Sequence, residues 1–223
     1  MKIYAHRGSS GENLEMTMSA YLAAIDDGAD GFECDVRLTK DQLIACIHDR
    51  NTKRISTSNL GVHQNTLQEL TKVAPIISLE DLISLAITAK KDLLIETKHP
   101  VVTGGKIERK VLALLALREA EISQAGIEVI CMSFSWFAVE RFRKRQKSCT
   151  VSQYFFQVLF ARTENLALGI SLIKRYPRMV RSLKKRGKKI LVWTVNDEAD
   201  IKLCRELGVD GLITNFPKRA VNE

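Results

Sequence analysis

"GADGFECDVRLTKDQLIACIHD" spans residues 28–49. It holds two short β-rich runs, "GFECDV" and "LIACIH", joined by the polar turn "TKDQ". Glu33 and Asp35 stand two apart in the first run, so the two-residue period of a strand puts both carboxylates on one face. The second run ends at His48-Asp49. Only about seven residues separate "CDV" from "LIACIH", whereas a helical crossover needs roughly 10 to 12. The chain is expected to turn back there without a helix.

Outward from this stretch the alternation of strand and helix continues. Upstream lie strand "KIYAH" and helical "TMSAYLAAIDDG", with Thr17 as N-cap and Gly28 as the stop. Downstream come helical "TLQELTKV" and "SLEDLISLAITAKK", the latter with the capping-box spacing Ser78…Asp81. Strand "DLLIET" leads through Gly104-Gly105 to one long helix, "KIERKVLALLALREAEISQ". Strand "IEVICMSF", helix "SWFAVERFRKRQK" and strand "TVSQYF" follow, and residues 155–176 show no clear pattern. Helix "PRMVRSLKKRG", strand "KILVWTV", helix "DEADIKLCRELG" and strand "DGLITN" close the series.

The strands end near residues 6, 35, 48, 96, 133, 153, 195 and 214. Eight strands interleaved with helices predict a closed (β/α)8 TIM barrel, residues 1–223 forming one domain, with one outer helix missing between strands 2 and 3. A doubly wound open sheet is the alternative, but no G-x-G-x-x-G follows any strand.

Composition narrows the class. The chain is 45% hydrophobic, and no apolar run approaches the roughly 18 residues of a membrane span. Residues 1–8 show no signal-peptide pattern, and the expectation is a cytoplasmic protein. The five cysteines form no C-x-x-C pair and read as buried, inert thiols. Residues 1–111 hold 14 Lys/Arg against 15 Asp/Glu, whereas residues 112–223 hold 20 against 11. The excess lies largely in 141–147 and 174–189, which read as solvated faces of helices and fit a weak association with an anionic membrane surface. The aromatic interleaving of a nucleic-acid platform is thin, and no nucleic-acid partner is expected.

In barrel enzymes the active site gathers at the outgoing strand ends. Those ends carry His6-Arg7, Glu33 and Asp35, His48-Asp49, Glu96 and Lys98, Ser133-Phe134, Trp193 to Asn196, and Thr214-Asn215. A lone histidine at a strand end is more often structural, and a lone Glu-x-Asp is usually an exposed face. Here nearly every charge inside an apolar run falls at an outgoing end, and burying such charges costs several kcal/mol apiece unless they are paired. An all-oxygen ligand set suits a hard divalent ion, Mg²⁺ or Ca²⁺ or else Mn²⁺. With His, Arg and Lys beside it, such an ion suits a phosphate ester.

"AHRGSSGENLEMT", "GADGFECDVRLTKDQLIACIHD", "LLIETK", "MSF", "WTVND" and "GVDGLITNFP" together resemble the successive blocks of the glycerophosphodiester phosphodiesterase family, in order along the whole chain. The resemblance implies a phospholipase C-like barrel and metal-dependent hydrolysis of a small-molecule glycerophosphodiester to sn-glycerol 3-phosphate and an alcohol. It implies metal carboxylates at Glu33, Asp35 and Glu96, an acid/base pair at His6 and His48, and phosphate-binding cations at Arg7 and Lys98. Trp193 matches an aromatic wall for the glycerol, and Glu15 a supporting carboxylate, with a metal contact also open to it. Two blocks depart from the family pattern. "LEMT" replaces P-E-N-T, so Leu14 and Met16 stand for Pro and Asn, and "TNFP" replaces T-D-x-P, so Asn215 stands for Asp. A lysophospholipase D-like or cyclising phosphodiesterase on a lipid diester, or a binding protein without turnover, are the alternatives.

Overall fold

The computed structural model describes residues 1–101 and 104–223. Among the described residues nine strands form one sheet: β1 (Lys2–His6), β2 (Gly31–Leu38), β3 (Ile44–Cys46), β4 (Asp92–Thr97), β5 (Val129–Ser133), β6 (Ser148–Ser152), β7 (Asn165–Gly169), β8 (Lys189–Trp193) and β9 (Gly211–Thr214). Eight of them run parallel and close on themselves in the order β1-β2-β4-β5-β6-β7-β8-β9, with β9 pairing back to β1. The fold is the expected (β/α)8 barrel.

One strand assignment needs correction. "LIACIH" is not a staff of the ring: β3 pairs antiparallel with the end of β2, through Val36↔Cys46 and Leu38↔Ile44. The turn between them has no helix, as expected, and is closed by Thr39 N–H donating to Leu43 O at 3.0 Å. The eighth ring strand is instead β7, inside the stretch that carried no clear pattern. All five residues of "NLALG" are buried, so the period-two alternation that marks a half-exposed strand is absent. The missing helix belongs to the β2–β3 link alone. The passage from β2 to its next ring neighbour β4 carries α2 (Leu67–Thr71) and α3 (Leu79–Ala89).

The remaining helices are α1 (Met18–Asp26), α4 (Lys106–Leu117), α5 (Glu119–Ala125), α6 (Trp136–Phe142), α7 (Phe155–Leu159), α8 (Ile170–Arg175), α9 (Pro177–Lys185), α10 (Glu198–Glu206) and α11 (Pro217–Asn222). The long helix expected after Gly105 breaks at Arg118 into α4 and α5. Thr17 caps α1 by accepting from Ala20 N–H, and Ser78 with Asp81 forms the capping box of α3. Among the described residues no helix is long and apolar enough to cross a membrane.

Tyr4, Leu94, Ile130, Cys149, Leu191 and Ile213 fill the barrel interior. The Tyr4 ring fits because Gly31 and Gly211 face it. A Cβ on either would approach the ring to 2.8 and 3.0 Å. Larger apolar clusters lie between the outward strand faces and the helices. The interior is therefore plugged, so polar side chains converge at its two ends: Lys2, Asp92, Glu128 and Lys147 pair at the incoming end, and the charges singled out in the sequence gather at the outgoing end.

Candidate active site

Two strand registers assemble the centre. Parallel pairing sets His6 beside Glu33 and Asp35 beside Glu96. One carboxylate oxygen from each of Glu33, Asp35 and Glu96 lies within 4.8 Å of the others, and all three residues are buried. Two cations stand against them. Lys98 Nζ is 3.1 Å from Asp35 Oδ1 and 2.6 Å from Glu96 Oε1. Arg7 Nε is 2.8 Å from Asp35 Oδ2, but its N–H is not in line, so that oxygen keeps an unpaired lone pair.

The first strand end explains why "AHRG" is needed. Arg7 adopts φ 59° and Gly8 φ 82°, so two successive residues turn left-handed. The turn aims Arg7 N–H at Glu33, 3.0 Å from its carbonyl and 3.3 Å from Oε2. A Cβ on Gly8 would lie 2.7 Å from Ala20 backbone, so glycine alone fits.

The histidines differ in their partners. His6 Nδ1 lies 2.6 Å from Asn215 Oδ1, an acceptor, so Nδ1 carries the proton and Nε2 presents its lone pair 3.8 Å from Glu33. Burial, with the Arg7 charge beside it, pushes the His6 imidazole down to about 4, opposed by Asp35 and the Asn215 bond. His48 Nδ1 lies 2.6 Å from Asp49 Oδ1, a carboxylate. Burial lowers His48 too, partly offset by Asp35 and Asp49. Arg37 Nε donates to His48 O at 2.8 Å, fixing the backbone.

Glu15 receives Arg54 bidentately, at 2.7 and 2.6 Å, and Arg7 Nη1 at 3.0 Å. Arg54 Nε also donates to Asp49 Oδ2 at 2.6 Å. A continuous ionic chain thus runs Arg7–Glu15–Arg54–Asp49–His48. Burial would raise Glu15, but the bond from Arg54 and the Arg7 charge hold it below the usual carboxylate range.

Burial is also the main influence on the three central carboxylates. Burial, then repulsion from Asp35 and Glu96, lifts Glu33 well above its ordinary value. Burial and Asp35 push Glu96 up to about 7, against the pull of Lys98. Burial would raise Asp35 as well, yet Arg7 and Lys98 keep it low. Two cations are thus one too few for three ionised carboxylates.

Comparison with known proteins bears on what such a rim does. The model of the glycerophosphoryl diester phosphodiesterase family matches residues 6–219. The chain belongs to that family. It is 34% identical to the "Probable glycerophosphodiester phosphodiesterase 1" of Mycobacterium tuberculosis, over 97% of this chain and 90% of the relative. It is 31% identical to a glycerophosphodiester phosphodiesterase of Bacillus altitudinis, over 99% of this chain and 96% of the relative. The fold superposes on an Oleispira antarctica phosphodiesterase in complex with the product sn-glycerol-3-phosphate. That match has a TM-score of 0.85 at 21% identity and covers 100% and 97% of the two chains.

The phosphodiesterase brings all the residues singled out in its sequence to one rim, with some shifts of partner. Arg7 and Lys98 contact the carboxylates and remain only slightly exposed, at 15% and 13%. Glu15 is taken up by two arginines and lies outside the carboxylate cluster. Trp193 donates from Nε1 to Ala167 O at 3.0 Å and packs edge-on against Phe134, with ring centroids 5.4 Å apart. His99 pairs with buried Glu108 of α4 at 2.7 Å and takes no part in the rim. In "LEMT", Met16 has φ 55°, a left-handed position that asparagine adopts more readily, and its N–H donates to Arg7 O at 2.8 Å. Sequence reasoning gave no role to Asp49, Arg54, Asn215 or Arg37. Asp49 beside His48, Arg37 two residues past Asp35 on one strand face, and Asn215 at the last strand end were the available signals, whereas Arg54 reaches the site through a contact 39 positions away.

Proposed function

We propose that Glu33, Asp35 and Glu96 together hold one divalent metal ion, while His6 and His48 move the protons of a hydrolytic cleavage at phosphorus. The protein is a glycerophosphodiester phosphodiesterase, hydrolysing glycerophosphodiesters to sn-glycerol 3-phosphate and an alcohol. The observation that carries the metal reading is the cluster of three buried carboxylates within 4.8 Å. An all-oxygen donor set, an unpaired Asp35 lone pair and two carboxyl groups pushed upward all fit a hard cation, Mg²⁺ or Ca²⁺ first and Mn²⁺ after them. Such an ion, when bound, supplies Lewis-acid polarisation of phosphoryl oxygens.

The chain's own groups divide the remaining work. Arg7 and Lys98 neutralise non-bridging phosphate oxygens, a role their cationic heads beside the carboxylate cluster support, and Glu15 with Arg54 holds Arg7 in position. Trp193 and Phe134 form the apolar wall for the glycerol. His6, buried and backed only by a neutral amide, stays unprotonated and accepts the proton of the attacking water at Nε2. His48, backed by the Asp49 carboxylate, is better able to carry a proton and donates it to the departing alcohol oxygen. Five free, buried cysteines suit a reducing compartment, and we place this one-domain enzyme in the cytoplasm, in lipid and glycerol metabolism.

The test is hydrolysis of glycerophosphocholine and glycerophosphoethanolamine after chelation and stepwise return of each ion. Activity is expected to vanish and return. The pair Glu33→Gln and Asp35→Asn is expected to lose at least about a hundredfold. Full turnover by that variant, or indifference to chelator, would end the metal reading.

A further inference from the structure

All eight of the exposed aromatic residues among those described lie between positions 134 and 176. Phe134, Trp136 and Phe137 follow the outgoing end of β5. Tyr154, Phe155, Phe156 and Phe160 follow β6, where α7 turns Leu159 outward with them and buries only Val158. Tyr176 closes the set from the end of α8 against Phe155, with ring centroids 5.3 Å apart. Phe160 is 72% exposed and Phe156 59%, so these rings are not half-finished core. Aromatic side chains carry about 150–250 Å² each, so at 37–72% exposure the eight rings turn roughly 600–1,000 Å² outward, against the few hundred Å² of apolar patch usual on a monomer.

The same segment is strongly basic. Residues 134–189 hold 15 Lys/Arg against 2 Asp/Glu, a net charge of +13, while the rest of the chain is net −5. Arginines are interleaved with the rings: Arg162 lies over Trp136 at 5.7 Å and Arg175 over Tyr176 at 5.4 Å, with Arg178 and Arg181 exposed on α9. The aromatic interleaving that the sequence made look thin is therefore present, but it forms an apron at the mouth of the site. The apron begins at Phe134, which the site shares with Lys98 and Trp193.

We propose that this apron docks the enzyme on an anionic lipid surface, with the aromatic rings at the acyl boundary, the arginines at the headgroups, and the active-site mouth turned toward the bilayer. The proposal rests on the phosphodiesterase reading for its purpose and makes surface-borne glycerophosphodiesters the substrates presented to the site. Aromatic residues beside Arg/Lys have the composition of an interfacial binding surface. A second copy of the chain is the poorer occupant. In a two-fold dimer the patch would face itself, bringing two strongly positive surfaces together.

Co-sedimentation of the whole protein with phosphatidylcholine vesicles, with and without a third of phosphatidylglycerol, tests the proposal. Binding is expected only with phosphatidylglycerol and is expected to weaken as salt rises. Phe156→Ser with Phe160→Ser is expected to cut it at least about tenfold, while turnover of soluble glycerophosphocholine stays unchanged. Arg175→Glu with Arg178→Glu removes the charge by a separate route and is expected to cut it likewise. No binding to anionic vesicles, or equal binding by both variants, overturns the proposal. So does a change from dimer to monomer in the serine variant, which makes the patch a subunit interface. Failure to hydrolyse the soluble diester while vesicle binding persists counts against the hydrolase reading alone.

Discussion

Asn215→Asp replaces the amide that holds His6 with a carboxylate at the same position, 2.6 Å from Nδ1. The amide oxygen lends only a dipole to the imidazolium, whereas a carboxylate adds a full charge. Unit charges about 4 Å apart attract by about 4 kcal/mol at an effective dielectric near 20. At about 1.4 kcal/mol per pKa unit, that sets a ceiling of about three units. Solvent screening of a side chain that is still 18% exposed trims it to about two, lifting His6 from about 4 to about 6. A higher value means more imidazolium at a given pH and hence less base. Titration of metal-free protein by NMR of the ring nitrogens reads the shift directly. In turnover, kcat/KM should lose its acid limb earlier, with about a tenfold deficit at pH ~5 and near-parity above pH ~7.5. A midpoint unmoved within about one unit would show that Asn215 does not set His6. A gain at low pH would show that His6 donates its proton, reversing the assignment.

The carboxylate-backed histidine gives a leaving-group test. His48→Ala should lose about a hundredfold or more on choline or ethanolamine diesters, and at least tenfold less on a nitrophenyl diester, whose phenolate departs unaided. Equal losses on both would remove His48 as the donor. At the first strand end, Gly8→Ala puts a Cβ at φ 82° and 2.7 Å from Ala20, costing about 2–3 kcal/mol and lowering Tm by about 5–10 °C. An unchanged melting curve in calorimetry would contradict the close approach.

What the sequence made legible followed from strong local patterns. "GFECDV" alternates, and the period of two put Glu33 and Asp35 on the face that the structure turns inward. "NLALG" failed for the opposite reason. It is buried on both sides and carries no β-branched residue, so nothing separates it from a helical fragment until its neighbours β6 and β8 are known. "LIACIH" misled because its composition suits a barrel strand, while a five-residue turn back to β2 compels antiparallel pairing outside the ring. Asn215 looked like a lost charge in a marginal block. Only ring closure, which brings β9 beside β1, reveals that it meets His6 across 209 positions of sequence.

The charges at the centre explain why so many oppositely signed groups are held so tightly. Counting only the innermost five, three carboxylates meet Arg7 and Lys98, leaving one negative charge in excess within a buried rim. That excess appears as the upward push on Glu33 and Glu96. An anionic diester entering such a rim would be repelled by the same excess. A divalent cation inverts the sign and leaves one net positive charge, the complement of a phosphodiester monoanion. Glu15 then acquires a reason for being outside the cluster. Held by Arg54 and Arg7, it steadies Arg7 without adding a fourth carboxylate to the centre. A fourth would cancel the positive charge and with it the attraction for substrate.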